Sequence, residues 1–306
     1  MKIIVTGGAG FIGSNVVDLY ISKGHKVAVI DDLSTGFRKN LNPKAKFYKA
    51  DIKNLEEIDR IFALEKPEAV NHHAAVASVI ESIKNPIKTF ETNVIGTANL
   101  LISFGKHGRG KNKKFIFSST GGAMYGSPKV IPVDEKTAPH PISPYSLSKL
   151  LGEETIKYYA RELGFDYLIF RYANVYGPRQ NPKGEGGVIA IFSGLMKSGK
   201  RPTIFGNGNK VRDYVYVGDI AEANMLGLKK GRNEIMNIGS GKPTSDKKIF
   251  DTVAEKLQFK MKPIYAPKRK GEVIKSALHA HHAKRVLSWH PKTKLEEGIG
   301  KTVHSV

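Results

Sequence analysis

The 306-residue chain has no cysteine, which excludes disulfides, thiolate metal sites and cysteine nucleophiles. It also has no apolar run long enough to cross a bilayer. Glycines interrupt the short apolar run near the N-terminus and no small-residue cleavage site follows it, so a secretory leader is not expected. A soluble, cytoplasmic protein without membrane contact is the expectation. Acidic residues are scarce, with 28 Asp+Glu against 49 Lys+Arg and a net charge of +21. Such a balance favours anionic partners and supports non-specific nucleic-acid binding at low salt. The basic residues are nevertheless spread along the chain, with small clusters only at 109–114 and 268–270. There is no basic helix interleaved with aromatics and no zinc-finger spacing, so most of the charge reads as solvated surface and no specific nucleic acid is expected. Internal repeats and low-complexity tracts are absent as well. The 40% hydrophobic content suffices for a large core, or a core and a small lobe.

What is present is concentrated first in residues 1–14. Lys2 to Thr6 is a short run rich in β-branched residues, the pattern of a buried parallel strand. Gly7, Gly8, Gly10 and Gly13 then crowd a turn, and helical spacing runs from Phe11 to Lys23. Strand, glycine turn and helix N-terminus together suit a dinucleotide pyrophosphate. Missing Cβ atoms allow close backbone approach, and the helix-start amides point at the anion. Asp31 closes the next strand, eighteen residues after Gly13. A carboxylate there accepts hydrogen bonds from an adenosine ribose and repels a 2′-phosphate, which favours NAD over NADP. The plainer reading of Asp31 is a strand-end turn.

Strand and helix patterns go on alternating. Strands are expected at 26–31, 46–49, 68–71, 114–119 and 167–171, with helices at 55–64, at 86–104 and from Ser143-Pro144 onward. This rhythm predicts an α/β fold of the Rossmann type, a doubly wound parallel sheet. After Tyr172 the rhythm changes, with further strands at 214–217 and 234–238 and a helix at 219–228 between them. The expected division is a dinucleotide-binding domain at 1–175 plus 214–240. A smaller α/β substrate-binding lobe would take 176–213 plus 241–306.

The spacing Y-x-x-x-K occurs twice, at Tyr125/Lys129 and at Tyr145/Lys149. Ser143 and Pro144 fit an N-cap and first helical residue, so Tyr145 and Lys149 share one helix face. Gly126 and Pro128 argue against a helix for the other pair. An ammonium beside a phenol stabilises phenolate and makes tyrosine a usable base near neutral pH. An exposed amphipathic helix is the plainer alternative. The clusters His72-His73 and His279-x-His281-His282 have no acid or cysteine beside them to complete a ligand set, and no metal is expected.

Taken together, TGGAGFIGS at 6–14, DDLSTG at 31–36, SSTGGAMYG at 118–126, SPYSLSK at 143–149, RYANVYGPR at 171–179 and VRDYVYVGD at 211–219 resemble the extended short-chain dehydrogenase/reductase superfamily. Within it, the chain is similar to the NAD-dependent UDP-galactose (UDP-glucose) 4-epimerases. The resemblance implies reversible C4 epimerisation of a UDP-hexose through a transient 4-keto sugar, with tightly bound NAD, in a homodimer built on the 86–104 helix and the one bearing Tyr145. It makes Thr120 the hydroxyl that holds the reacting oxygen, Tyr145 the base and Lys149 its partner on the nicotinamide ribose. It assigns NAD contacts to Gly7, Gly10, Phe11, Ile12, Gly13, Asp31, Asp32, Leu33, Ser34, Thr35 and Gly36. Further contacts are implied at Asp51, Ile52, His73, Ala74, Ala75, Ala77, Asn93, Ser118 and Tyr172, besides Tyr145 and Lys149. Around the nucleotide sugar it places Thr120, Tyr145, Asn174, Gly187, Val188, Phe205, Arg212, Arg269 and Glu272. Two arginines suit a diphosphate because the guanidinium fork binds phosphate oxygens bidentately. Surface charge is the plainer reading of both.

Related dehydratases and decarboxylases place acids just after the threonine. Here Thr120 is followed by Gly121, Gly122 and Ala123, which favours epimerisation without elimination. The chain departs from the family pattern at Asp32, where Asn is usual, at Glu272, where Asp is usual, and at Gly187, where some members use Asn. His279 sits near the Asp usual before the final helix. Small Ser276 leaves room for a 2-N-acetyl group, so UDP-GlcNAc/UDP-GalNAc interconversion belongs to the expected range. The alternatives are a UDP-uronate epimerase or reductase of the same superfamily, and a non-enzymatic dinucleotide sensor or nucleic-acid binder.

Overall fold

A computed structural model describes residues 1–182, 187–268 and 273–305. The first half of the chain alternates as its pattern dictates. In order it runs β1 (Lys2–Thr6), α1 (Phe11–Ser22), β2 (Lys26–Ile30), β3 (Lys46–Tyr48), α2 (Leu55–Glu65), β4 (Ala69–His72), α3 (Val79–Lys84), α4 (Pro86–Phe90), α5 (Gly96–His107), β5 (Lys114–Thr120), α6 (Pro144–Leu163) and β6 (Asp166–Tyr172). There follow β7 (Asn174–Tyr176), α7 (Val188–Lys197), β8 (Thr203–Phe205), β9 (Val211–Tyr216), α8 (Val217–Gly227), β10 (Glu234–Ile238), β11 (Pro243–Ser245), α9 (Asp246–Lys256), β12 (Ile264–Ala266), α10 (His281–Leu287) and α11 (Leu295–Val303).

Seven strands form one parallel sheet in the order β3-β2-β1-β4-β5-β6-β10. This is a Rossmann-type doubly wound α/β sheet, and it has a core on each face. Because side chains alternate along a strand, Ile3 and Val5 of β1 join a cluster with Val16, Val17 and Tyr20 of α1, while Ile4 joins Phe62, Leu100 and Phe104 on the other side. Strand order reverses where β1 lies between β2 and β4, so the crevice for a ligand opens at the carboxyl ends of β1 and β4. A third cluster, with Tyr176, Phe192, Tyr214, Ile249 and Ile299, sits among the later elements. There β7 and β9 pair in parallel, β11 joins β9 antiparallel, and β8 pairs β12.

One expected helix differs. The stretch 86–104 is helical to His107, but Glu91–Ile95 winds as a π turn between α4 and α5. Such bulges rotate one residue out of the i→i−4 register. Here Asn93, 1% exposed, is turned inward. Its side chain donates to Val76 O (3.0 Å) and Ser148 Oγ (2.9 Å) and accepts from Val76 N (2.8 Å). One amide thus ties three segments together.

Candidate active site

At the crevice, the glycine turn is shaped by contacts within the protein. Gly7 has φ +68°, and a Cβ on it would lie 2.6 Å from Ala74 N; one on Gly13 would lie 2.2 Å from Gly7 O. Gly10 N donates to Gly7 O (3.1 Å), and Gly10 begins α1 with no side-chain cap. Helix geometry then leaves the amides of Phe11, Ile12 and Gly13 without intrahelical partners, facing the crevice as an anion site. Asp31 is buried, and its two oxygens accept from Ala9 N and Leu33 N, both at 2.9 Å. Burial pushes its carboxyl up, against the pull of those two bonds. Each oxygen keeps a further lone pair for a ribose diol. Asp32 is exposed and accepts from Ser34 N and Oγ, so it shapes its own turn. Gly36 closes that loop against Ala9, and Phe37 N donates to Ala9 O (3.1 Å). Asp51 accepts from Lys53 N, and Ile52 packs under Gly96 of α5. A backbone cradle, a helix start and a carboxylate at the second strand's end fit an adenosine dinucleotide.

The two histidines at the end of β4 do different work. Thr97 Oγ1 donates to Asn93 O (2.6 Å), so it must accept from His72 Nε2–H (2.9 Å); His72 Nδ1 then accepts from Thr6 Oγ1 (2.7 Å). His72 is a neutral bracket between β1 and α5, its pKa driven well down by burial and then by Lys149 and His73. His73 meets Ser118 Oγ through Nδ1 (2.5 Å), while its buried Nε2 has no partner. Burial and then Lys149 lower its pKa to about 3. Neither residue joins a metal cluster among the described residues.

Helix α6 carries Tyr145 and Lys149. Ser143 accepts from Ser146 N, Ser146 Oγ accepts from Ser143 N, and Pro144 occupies the first turn, a complete capping box. The phenol is half-buried. Lys149 is 3% exposed, donates from Nζ to Ser118 O (2.8 Å) and lies 4.6 Å from the Phe117 ring centre. Burial lowers its pKa to about 7, with Glu153 pulling the other way. Thr120 ends β5, and its Oγ1 accepts from Ala123 N (3.3 Å). Tyr172, raised to about 12 by burial, accepts from Asn224 Nδ2 (2.8 Å).

Around the expected sugar, Asn174 lies on β7, Gly187 precedes α7, Val188 begins it, and Phe205 ends β8. Arg212 on β9 donates to Val211 O (2.9 Å) and to Val273 O. Its neighbour Asp213, 1% exposed, accepts from Ser240 N, Ser240 Oγ, Gly241 N and Leu278 N. That carboxylate binds the turn after β10 to the segment around Ser276, which is itself buried. Arg269 and Glu272 lie outside the described residues.

The pattern reading passed over Glu153 and Arg171. Glu153 is 0% exposed, accepts from Arg171 Nε (2.9 Å) and Nη2 (2.6 Å), and accepts from Ser119 Oγ (2.5 Å). Glutamate four residues beyond Lys149 on the same helix face was the available signal.

The chain is similar in sequence and fold to known proteins. The chain matches the NAD dependent epimerase/dehydratase family over residues 3–239. It is 50% identical to the Thermotoga maritima UDP-glucose 4-epimerase solved with UDP-glucose, covering 100% of this chain and 98% of that one at a TM-score of 0.97. It is 39% identical to the Thermus thermophilus UDP-glucose 4-epimerase in complex with NAD (100% and 98%, TM-score 0.93). Identity is 33% to the UDP-N-acetylglucosamine 4-epimerase of Methanobrevibacter ruminantium, in complex with UDP-N-acetylmuramic acid (99% and 97%, TM-score 0.92).

Proposed function

The chain belongs to the NAD dependent epimerase/dehydratase family, and from that premise we propose that it interconverts UDP-galactose and UDP-glucose at C4. NAD supplies, when bound, an acceptor for the C4 hydride and a donor that returns it. The chain's own residues do the rest. The α1 start holds the pyrophosphate and Asp31 the adenosine ribose. Lys149, as an ammonium, favours the phenolate of Tyr145 one turn earlier, and Tyr145 takes the proton of the sugar 4-OH and later gives it back. Thr120 Oγ1 holds that oxygen, and Arg212 with Arg269 takes the diphosphate.

One observation carries epimerisation over elimination. A Cβ on Gly121 would lie 2.4 Å from Leu278 Cδ1, and one on Gly122 would lie 3.1 Å from Asn174 Oδ1. With Gly121, Gly122 and Ala123 after Thr120, no carboxylate stands there to act at C5 and C6 of the sugar. The likeness to a UDP-N-acetylglucosamine 4-epimerase, with small Ser276, supports N-acetyl sugars as further substrates.

A homodimer is part of the same reading. Ile80, Ile83 and Ile87 (70% exposed) form an apolar face on α3 and α4, and Leu147, Leu151 and Tyr158 extend it along α6. Sedimentation is expected to give a dimer; a monomer refutes this. We place the two-part division, 1–175 plus 214–240 for NAD and 176–213 plus 241–306 for the sugar, in the same proposal. No helix among the described residues is long and apolar enough to cross a membrane. A cytoplasmic location is supported by a charged nucleotide substrate and cofactor that do not cross lipid.

The test is NMR of the purified protein with UDP-galactose and no added cofactor. UDP-glucose is expected to appear. No conversion, even with added NAD, overturns this substrate assignment and turns attention to uronates.

A further inference from the structure

We infer that Glu153 is a positioning residue for Lys149, the buried counter-charge that keeps the lysine protonated from one turn along α6. The inference rests on the Tyr145–Lys149 reading above. Both side chains are almost wholly removed from solvent, and their spacing stacks them on one helix face. Behind Glu153 stands the bidentate Arg171 of β6, with Ser119 of β5 on the same carboxylate oxygen. The carboxylate therefore clamps α6 onto the two central strands that end at the site. Lys149 reaches Ser118 O on the same strand.

The groups facing Lys149 make the charge pattern plain. From the end of β4 come His72 and His73, both neutral; from β5 come the Phe117 ring and a carbonyl; from α6 comes the carboxylate of Glu153. Glu153 is the carboxylate that acts on the lysine among the described residues, and it opposes the effect of burial. Glu153 is thus one buried negative charge that pairs Arg171 directly and acts on Lys149 through space. A neutral residue at 153 leaves the buried ammonium of Lys149 without an opposing charge in a medium that screens poorly. Lys149 then sheds its proton at lower pH, and an uncharged amine no longer favours phenolate.

The experiment compares holoenzyme and its Glu153→Gln variant, following kcat for UDP-galactose from about pH 4.5 to 10 and the lysine side-chain NMR titration. The Lys149 signal is assigned with Lys149→Met. Activity needs the ammonium, so it is lost as pH rises through the lysine pKa. In Glu153→Gln both the alkaline limb and the Lys149 signal are expected to move to lower pH, by about one unit or more. Glu153→Asp, which keeps the charge, is expected to restore most of the shift. A uniform fall in kcat with both titrations unmoved means a purely structural role and overturns the inference. Should Glu153→Gln fail to fold, Glu153→Gln/Arg171→Met removes the whole pair; an acid-shifted limb supports the inference and an unmoved one overturns it. If Lys149→Met keeps full activity, the Tyr145–Lys149 reading fails instead.

Discussion

Two segments of the chain carry a tyrosine four residues before a lysine, at 125–129 and at 145–149, and the fold uses them in opposite ways. In the second, the capping box at Ser143 starts a helix that puts both side chains on one face, and Lys149 is buried against β5. In the first, Gly126 has φ +62° and Pro128 follows, so the chain turns away and Lys129 ends exposed. Tyr125 points inward and is 5% exposed. Its hydroxyl donates to Asn237 Oδ1 (2.8 Å) and accepts from Arg171 Nη1 (3.0 Å). Burial raises its pKa, with Arg171 working against that rise. The same spacing yields the proposed acid–base pair in one place and a hydrogen-bonded rivet in the other. What separates them is the helix, which aligns the pair, and the burial of the lysine, which gives its charge effect.

The largest expected effect sharpens this contrast. Tyr145→Phe should lower kcat by about 10³-fold, the scale of a lost general base. Tyr125→Phe should leave kcat near wild type and lower stability by about 1–3 kcal/mol, because Arg171 and Asn237 each lose a buried partner. Steady-state kinetics and urea denaturation of the two variants decide it; equal losses of kcat would erase the distinction. Next in size, Lys149→Met should cost about 10²-fold in kcat, while Lys129→Met changes nothing measurable. A comparable loss in both would mean that surface charge, not the buried ammonium, matters.

The smallest effect is on stability against pH. His73 has a folded pKa of about 3, set by burial first and Lys149 second, below its ordinary 6.5. Its contribution to stability is therefore fully present above pH 6.5 and is lost as pH falls toward 3, because the unfolded chain takes the proton first. Lys149→Met removes the lesser cause and raises the folded value, so the loss between pH 5 and pH 3 should shrink. Lys129→Met should match wild type. Denaturation midpoints at the two pH values measure it, and identical acid losses in all three proteins would remove Lys149 from the account.

Much of the Rossmann half is legible in the sequence, for local reasons. The strand at 2–6 and the strand at 234–238 fall where their apolar runs begin and end. The helix bearing Tyr145 starts where Ser143 and Pro144 signal it. Less was legible beyond Tyr172. Strands β7, β8, β11 and β12 have three residues each, too short for a period to register, and they exist because distant partners pair with them. The π turn was hidden in a run that reads as unbroken helix, since its cause lies in Asn93 reaching Val76 and Ser148.

By itself, the sequence determined the parallel sheet, the glycine turn and the placement of Tyr145 and Lys149 four apart on one helix, because each rests on backbone preference or helical spacing within a few residues. Only the tertiary structure decided that Asp213 gathers four donors from two distant segments, and that Glu153 meets Arg171 and Ser119 behind Lys149. Those bonds join residues far apart along the chain. Buried charges take their partners from whatever the packing brings within reach, and no local pattern records that.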